Sequence, residues 1–187
     1  MSIIDIIFIG IALSIDACAV TIANCATYKN CLSKKKEWAM PVLFAFFQGL
    51  MPLIGFGIGS IFADFLAPIT KFVTAGIFLF LALKIVLDNL KREDENTCPV
   101  NSLAISMIVI QAVATSIDAL AVGITLIDFA HSVFIAIGLI SGVTFILVSL
   151  ALVFGKTLGK LFGKYAEWFG AGILLILAIK SLIEAFV

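Results

Sequence analysis

From Ile6 to Ala26 the chain runs for 21 residues with a single charged side chain, Asp16. Crossing the roughly 30 Å hydrocarbon core of a bilayer takes about 20 apolar helical residues. Five further stretches of similar character follow, and the expected spans lie near 3–28, 37–60, 66–90, 100–127, 131–154 and 165–186. The chain is 63% hydrophobic and 13% charged, whereas a soluble domain carries about 25% charged residues. Too few polar side chains exist to coat a water-soluble globule. The expected fold is an all-α integral membrane protein with six transmembrane helices, residues 1–187 forming a single membrane domain.

No Lys or Arg precedes the first apolar run, so residues 3–28 read as a retained helix rather than a cleavable leader. Lys29–Glu37, Asp64–Pro68, Lys91–Pro99, Asp128–Ser132 and Lys156–Glu167 form the expected loops. The first, third and fifth hold Lys29, Lys34, Lys35, Lys36, Lys91, Arg92, Lys156, Lys160 and Lys164, against Lys71 alone for the second and fourth. By the positive-inside rule the odd loops face the cytoplasm and both termini face out. A net charge of zero gives no reason to expect a nucleic-acid partner.

The chain repeats itself. Residues 13–23, LSIDACAVTIA, match residues 115–125, TSIDALAVGIT, at seven of eleven positions, 102 residues apart. Residues 75–90 and 171–186 match at seven of sixteen, 96 residues apart. Helix one thus corresponds to helix four and helix three to helix six, and the slip of six residues is expected in the second and fifth loops. Residues 1–92 and 99–187 form the two expected three-helix repeats. Three crossings are an odd number, so the second repeat is inverted, and the lysine-rich loops fall at non-equivalent places as inversion requires. Inverted repeats are a common plan of secondary transporters, with the substrate near the midplane.

Asp16 and Asp118 lie about halfway along their spans. A carboxylate at that depth costs about 2.5–3.5 kcal/mol on insertion scales and normally faces a cavity, a partner or a cation. Ala12, Asp16, Ala19 and Ala23, with Ala114, Asp118, Ala121 and Thr125, are expected to form small-residue stripes along which two backbones approach. With no basic residue expected at that depth, the pair calls for a cation. Ser14, Thr115 and Ser116 supply nearby hydroxyls, and Pro52 frees the carbonyl of Gln48, four residues earlier. Hard oxygens favour Mn²⁺, Mg²⁺ or Ca²⁺. The expected metal ligands are Asp16, Asp118 and Gln48, with Ser14, Thr115 and Ser116 as weaker candidates. The bland alternatives are protonated carboxylates acting as interhelical glue, and for Gln48 a satisfied amide beside a packing kink.

Other features read as structural. Gly55/Gly59, Gly138/Gly142 and Gly155/Gly159/Gly163 suggest helix-packing faces. Lys84 with Asp88 and Lys180 with Glu184 read as interfacial i, i+4 pairs. Cys18 and Cys25 read as small apolar side chains, Cys18 pointing away from Asp16. His131 is expected in an outer loop.

The Ser-Ile-Asp-Ala-x-Ala-Val motif of helices one and four, the stretch Met51-Pro-Leu-Ile-Gly-Phe-Gly, and the Ala-Gly-Ile…Lys pattern of helices three and six resemble the MntP family of manganese efflux pumps. That family sits within the LysE-type transporter superfamily. The resemblance covers nearly the whole chain. It implies export of Mn²⁺ across the bacterial cytoplasmic membrane, with Asp16 and Asp118 as the functional acidic pair and Mn²⁺ as substrate rather than cofactor. Some members carry Glu where this chain has Gln48, which changes the charge count of the site.

Other classes compete less well. A thiol relay would need a cysteine in each repeat, yet Leu120 matches Cys18. A membrane scaffold would leave two costly carboxylates without a use. An intramembrane enzyme would need a constellation such as Ser/His or H-E-x-x-H, and neither occurs. The expected partners are a divalent metal ion and the lipid bilayer.

Overall fold

The computed structural model describes residues 3–28, 32–58, 72, 75–83, 85–87, 103–125, 133–162 and 165–186. Every regular element among them is helical: α1 (Ile3–Thr27), α2 (Lys34–Ile58), α3 (Ala75–Leu87), α4 (Ile105–Thr125), α5 (Val133–Phe162) and α6 (Ala166–Phe186). Lipid offers no partner to a free N–H or C=O, so an apolar chain crossing it must satisfy its backbone within each segment. Ile3–Thr27, Lys34–Gly57, Ile105–Gly123 and Val133–Leu158 are long and apolar enough to cross a membrane. Ala75–Leu87 and Trp168–Lys180 are shorter apolar stretches.

Two boundaries shift into lysine-bearing segments. Lys34–Lys36 belong to the first turn of α2, started by Ser33, whose carbonyl accepts from the N–H groups of Lys36 and Glu37 at 2.9 and 3.1 Å. α5 continues to Phe162, so Lys156 and Lys160 prolong a helix instead of forming a loop. Its 30 residues span about 45 Å at 1.5 Å per residue, more than the hydrocarbon needs. Near that end Lys156 pairs with Glu37 of α2 at 2.7 Å, so the start of α2 and the end of α5 meet on one face of the bundle. The expected second, third and fourth loops, with Lys84, Asp88, Cys31, Cys98 and His131, lie outside the described residues.

The outward surface is apolar: Phe8, Ile15, Phe134, Ile146, Phe154, Ile176 and Ile183 are all exposed. Such a surface suits lipid and not water. Inside, the core is built from small side chains, including Ala17, Ala23, Ala112 and Ala114, among bulkier Phe44, Phe78, Ile108 and Leu174. Chain neighbours are not the main spatial neighbours. α1 packs most extensively on α5 and barely on α2, while α4 packs most extensively on α2. α2 also lies on α5, and α1 on α6.

Glycines set the closest approaches. A Cβ on Gly123 would strike the Pro52 carbonyl, and one on Gly55 would strike the Leu120 carbonyl, so α2 and α4 cross backbone to backbone. A Cβ on Gly155 would lie 2.8 Å from Cys25 Cβ, where α5 meets α1. The expectation for Gly138 and Gly142 is corrected: among the described residues nothing lies within 4 Å of a Cβ at either. Gly59 and Gly163 lie outside the described residues.

Candidate cation site

The face of α1 that turns inward carries Gly10, Ser14, Ala17, Thr21 and Asn24, each buried and three or four residues apart. This corrects the expected stripe. Ala12 is exposed and Asp16 and Ala19 are half-buried, so only Ala23 of that set is buried. On α4, Ala114 is buried but Asp118 and Ala121 are exposed. In an apolar helix the hydrophobic pattern does not single out one face, and small polar groups seeking partners decide which turns inward.

Those polar groups form a seam through the bundle centre. Ser14 Oγ donates to the Gly10 carbonyl at 2.6 Å and lies 2.9 Å from Thr144 Oγ1 of α5. Thr144 donates in turn to the Ile140 carbonyl at 2.9 Å. Across the bundle Ser116 Oγ donates to Gln48 Oε1 at 2.8 Å, and Gln48 Nε2 donates to the Leu13 carbonyl at 3.2 Å. Gln48 is fully buried and ties α1, α2 and α4 together. Thr115 stays on its own helix, donating to the Gln111 and Ala112 carbonyls at 3.0 and 3.2 Å. Lower in the seam, Asn24 Nδ2 donates to Gln111 Oε1 at 2.8 Å and Gln111 Nε2 returns a bond to Asn24 Oδ1 at 3.1 Å. Burying such groups is tolerable because each finds a partner.

Of the expected ligands, Ser14, Gln48 and Ser116 are therefore brought together at one level, with Thr144 added. Asp16 is held elsewhere. Lys180 of α6 places Nζ 2.8 Å from Oδ1 and 3.1 Å from Oδ2 of Asp16. The expected absence of a basic group at this depth is thus corrected, and so is the reading of Lys180 as a partner of Glu184 alone. Asp118 lies on the exposed side of α4, two residues beyond Ser116. Among the described residues no group of three or more His, Cys, Asp or Glu side chains gathers, so oxygen ligands beyond the carboxylates would have to come from amides, hydroxyls, backbone and water. The cleft of about 330 Å³ lined by Glu37, Trp38, Pro41, Ser149 and Lys156 lies at the Lys156–Glu37 end, away from both carboxylates.

The sequence reading overlooked Lys180, Asn24, Gln111 and Thr144. Lone amides deep in apolar helices were a usable signal, since such groups seek partners across a membrane interface. Lys180 was masked by a plausible local partner at i+4. Thr144 carried no signal beyond its hydroxyl. Cys25 is buried and Cys18 half-buried in the core, as expected of small apolar side chains.

The family model described as "Putative manganese efflux pump" matches residues 31–182. The chain is 36% identical over 182 residues to "Putative manganese efflux pump MntP" of Campylobacter hominis, covering 96% of each chain. It is 34% identical over 184 residues to the protein of that name from Ruminiclostridium cellulolyticum, covering 98% of this chain and 97% of the relative. The Methanobrevibacter smithii protein of the same name is 34% identical over 182 residues, with 97% of each chain covered. No solved structure matches. With the match extending over nearly the full length of both partners, the chain belongs to the MntP family.

Proposed function

We propose that this chain is a secondary transporter that exports Mn²⁺ across the cytoplasmic membrane by alternating access, with Asp16 and Asp118 contacting the ion. The observation that carries this reading is that Asp16, halfway along a membrane-crossing helix, already holds a cation, the Lys180 ammonium. A midplane carboxylate that keeps a positive partner is chemically suited to a metal ion. Gln48, Ser14, Thr115, Ser116, backbone carbonyls and water complete the shell, since two carboxylates are too few for a hard divalent ion. The relatives' printed names, all manganese efflux pumps, support Mn²⁺ as the substrate. The reading needs no resident cofactor and no bond-making chemistry.

The architecture we propose has six transmembrane helices in two inverted repeats, residues 1–92 and 99–187, with both termini outside. Packing supports it: α4 repeats α1 in sequence, and the α1·α5 and α4·α2 contacts are then one contact seen twice. Ser14 and Ser116 stand 102 residues apart, and their partners Thr144 and Gln48 stand 96 apart. That second offset equals the one relating α3 to α6, so the slip of six residues belongs to the first and fourth loops, not the second and fifth. The Lys156–Glu37 pair agrees with the first and fifth loops sharing the cytoplasmic side.

Everted membrane vesicles loaded by Mn²⁺ addition test the proposal. Asp118→Asn should slow Mn²⁺ uptake into them at least tenfold at equal protein level. Wild-type rates for that variant would defeat the reading. Cd²⁺, Fe²⁺ and Ca²⁺ as competitors in the same assay rank the cargo, and a wild-type protein that moves none of them would favour a scaffold.

A further inference from the structure

We propose that Lys180 is a tethered counter-cation that occupies Asp16 whenever metal does not, so that metal entry and lysine departure are a single exchange. This rests on the reading that Asp16 contacts the transported ion.

The geometry is that of a competitor. Nζ lies within hydrogen-bond distance of both Asp16 oxygens, at 2.8 and 3.1 Å. A hard divalent ion needs those same oxygens at closer range, about 2.0–2.6 Å. An ammonium and a divalent ion on one carboxylate would face each other at a few ångströms in a medium that screens poorly. One of them must leave. The two partners are unequally held: the Asp16 side chain is 16% exposed, the Lys180 side chain 46%. The carboxylate is fixed on a short stem, whereas lysine swings on a flexible four-carbon one. Lys180 is the member built to move.

The duplication carries the arrangement as a unit. Asp118 follows Asp16 by 102 residues, and Lys180 follows Lys84 by 96, within the repeated stretch AGI…K. Lys84 itself lies outside the described residues. Acid and base are thus each present once per repeat. A bare carboxylate is costly at the bilayer centre, so an empty carrier returning through the membrane gains from carrying its own cation. When metal has left, the lysine neutralises Asp16 and opposes rebinding, which favours release over retention.

The test uses purified full-length protein in liposomes with Mn²⁺ as the probe, alongside Mn²⁺ binding in detergent followed by electron paramagnetic resonance. Lys180→Met should bind Mn²⁺ about tenfold more tightly and lower KM by a similar factor, with kcat reduced because release is slowed. Lys180→Arg, which keeps the charge, should restore most of the wild-type KM. Lys180→Gln serves as a second neutral variant should the methionine protein fold poorly. An unchanged or raised KM in the folded neutral variants would make the pair a structural tie between α1 and α6 and overturn the proposal. Asp16→Asn should lose Mn²⁺ binding. Normal binding by that variant would sink the ion-site reading itself, and the lysine proposal with it, whereas failure of the Lys180 variants alone leaves the site reading standing.

Discussion

The α1·α5 and α2·α4 contacts, which are equivalent under the proposed inverted repeat, are held differently. At the first, two hydroxyls meet, and each also has a carbonyl on its own helix: Ser14 has Gly10 and Thr144 has Ile140. At the second, Gln48 replaces the threonine and its longer arm reaches a third helix at the Leu13 carbonyl. The backbones differ too. α2 and α4 cross on Gly55 and Gly123, whereas offsets of 96 and 102 put Ala151 and Thr21 at the matching places. One contact joins two helices by hydroxyls with local backup and comes close at Gly155, and the other brings backbone carbonyls against Gly55 and Gly123 and ties in a third helix. If the halves are duplicated as proposed, substitution at three positions accounts for the difference.

The sharpest way to break this contrast is Gly123→Thr, which merely copies Thr21 into the second half. Its Cβ would meet the carbonyl, carbonyl carbon and Cα of Pro52, all backbone atoms that cannot swing aside. Overpacking of this kind costs about 3 kcal/mol or more, and we expect a large loss of thermal stability in detergent. Wild-type melting would mean that the crossing is not close. A smaller effect should follow from Gln48→Leu, which takes the acceptor from the Ser116 hydroxyl and the second, interhelical bond from the Leu13 carbonyl. The expected loss is about 1–2 kcal/mol, the upper part of the range for interhelical hydrogen bonds in membranes. Thr144→Val in the equivalent place should cost about 0.5 kcal/mol, because Ser14 keeps its bond to Gly10. Equal losses in the two variants, measured by the same melting assay, would erase the distinction. The smallest effect is expected for Gly142→Ala: it meets open space, and Ala is the better helix former by about 1 kcal/mol. Its melting temperature should stay level or rise slightly.

Much of the fold was legible because lipid leaves a chain few options. α1, α2, α4 and α5 begin within about five residues of their apolar runs, although only α5 overran its expected end by several residues. The inward faces were not legible. When a helix is apolar all round, hydrophobicity cannot tell lipid from neighbour, so the alanine stripe through Asp16 was favoured over the Ser14–Asn24 face that is actually buried. Glycine spacing was only partly informative: Gly55 and Gly155 do make close helix contacts, but Gly138 and Gly142 meet nothing among the described residues, and Gly123, without that spacing, shares the crossing with Gly55. Of the candidate site, Gln48, Ser14 and Ser116 were expected as ligands; the structure gathers them by hydrogen bonds, with the Gln48 amide satisfied, while the partner of Asp16 went unseen. Lys180 lies 164 residues away in sequence, a separation at which no local rule applies.

The weak contact between α1 and α2, set against the strong one between α1 and α5, has a consequence for biogenesis. α1 leaves the ribosome 106 residues before Val133, the first residue of its main partner. At about 5–20 residues per second that is an interval of roughly 5–20 s. Throughout it Ser14 and Asp16 lack their partners on other helices, since Thr144 and Lys180 are still unmade, and Asn24 waits for Gln111 through most of it. The first half must therefore wait in the insertion machinery or in lipid with its polar seam open, and the second half closes it on arrival. Insertion and assembly are separated in time by the topology itself, and variants that slow completion of the second half leave a polar, degradable intermediate rather than a half-active pump.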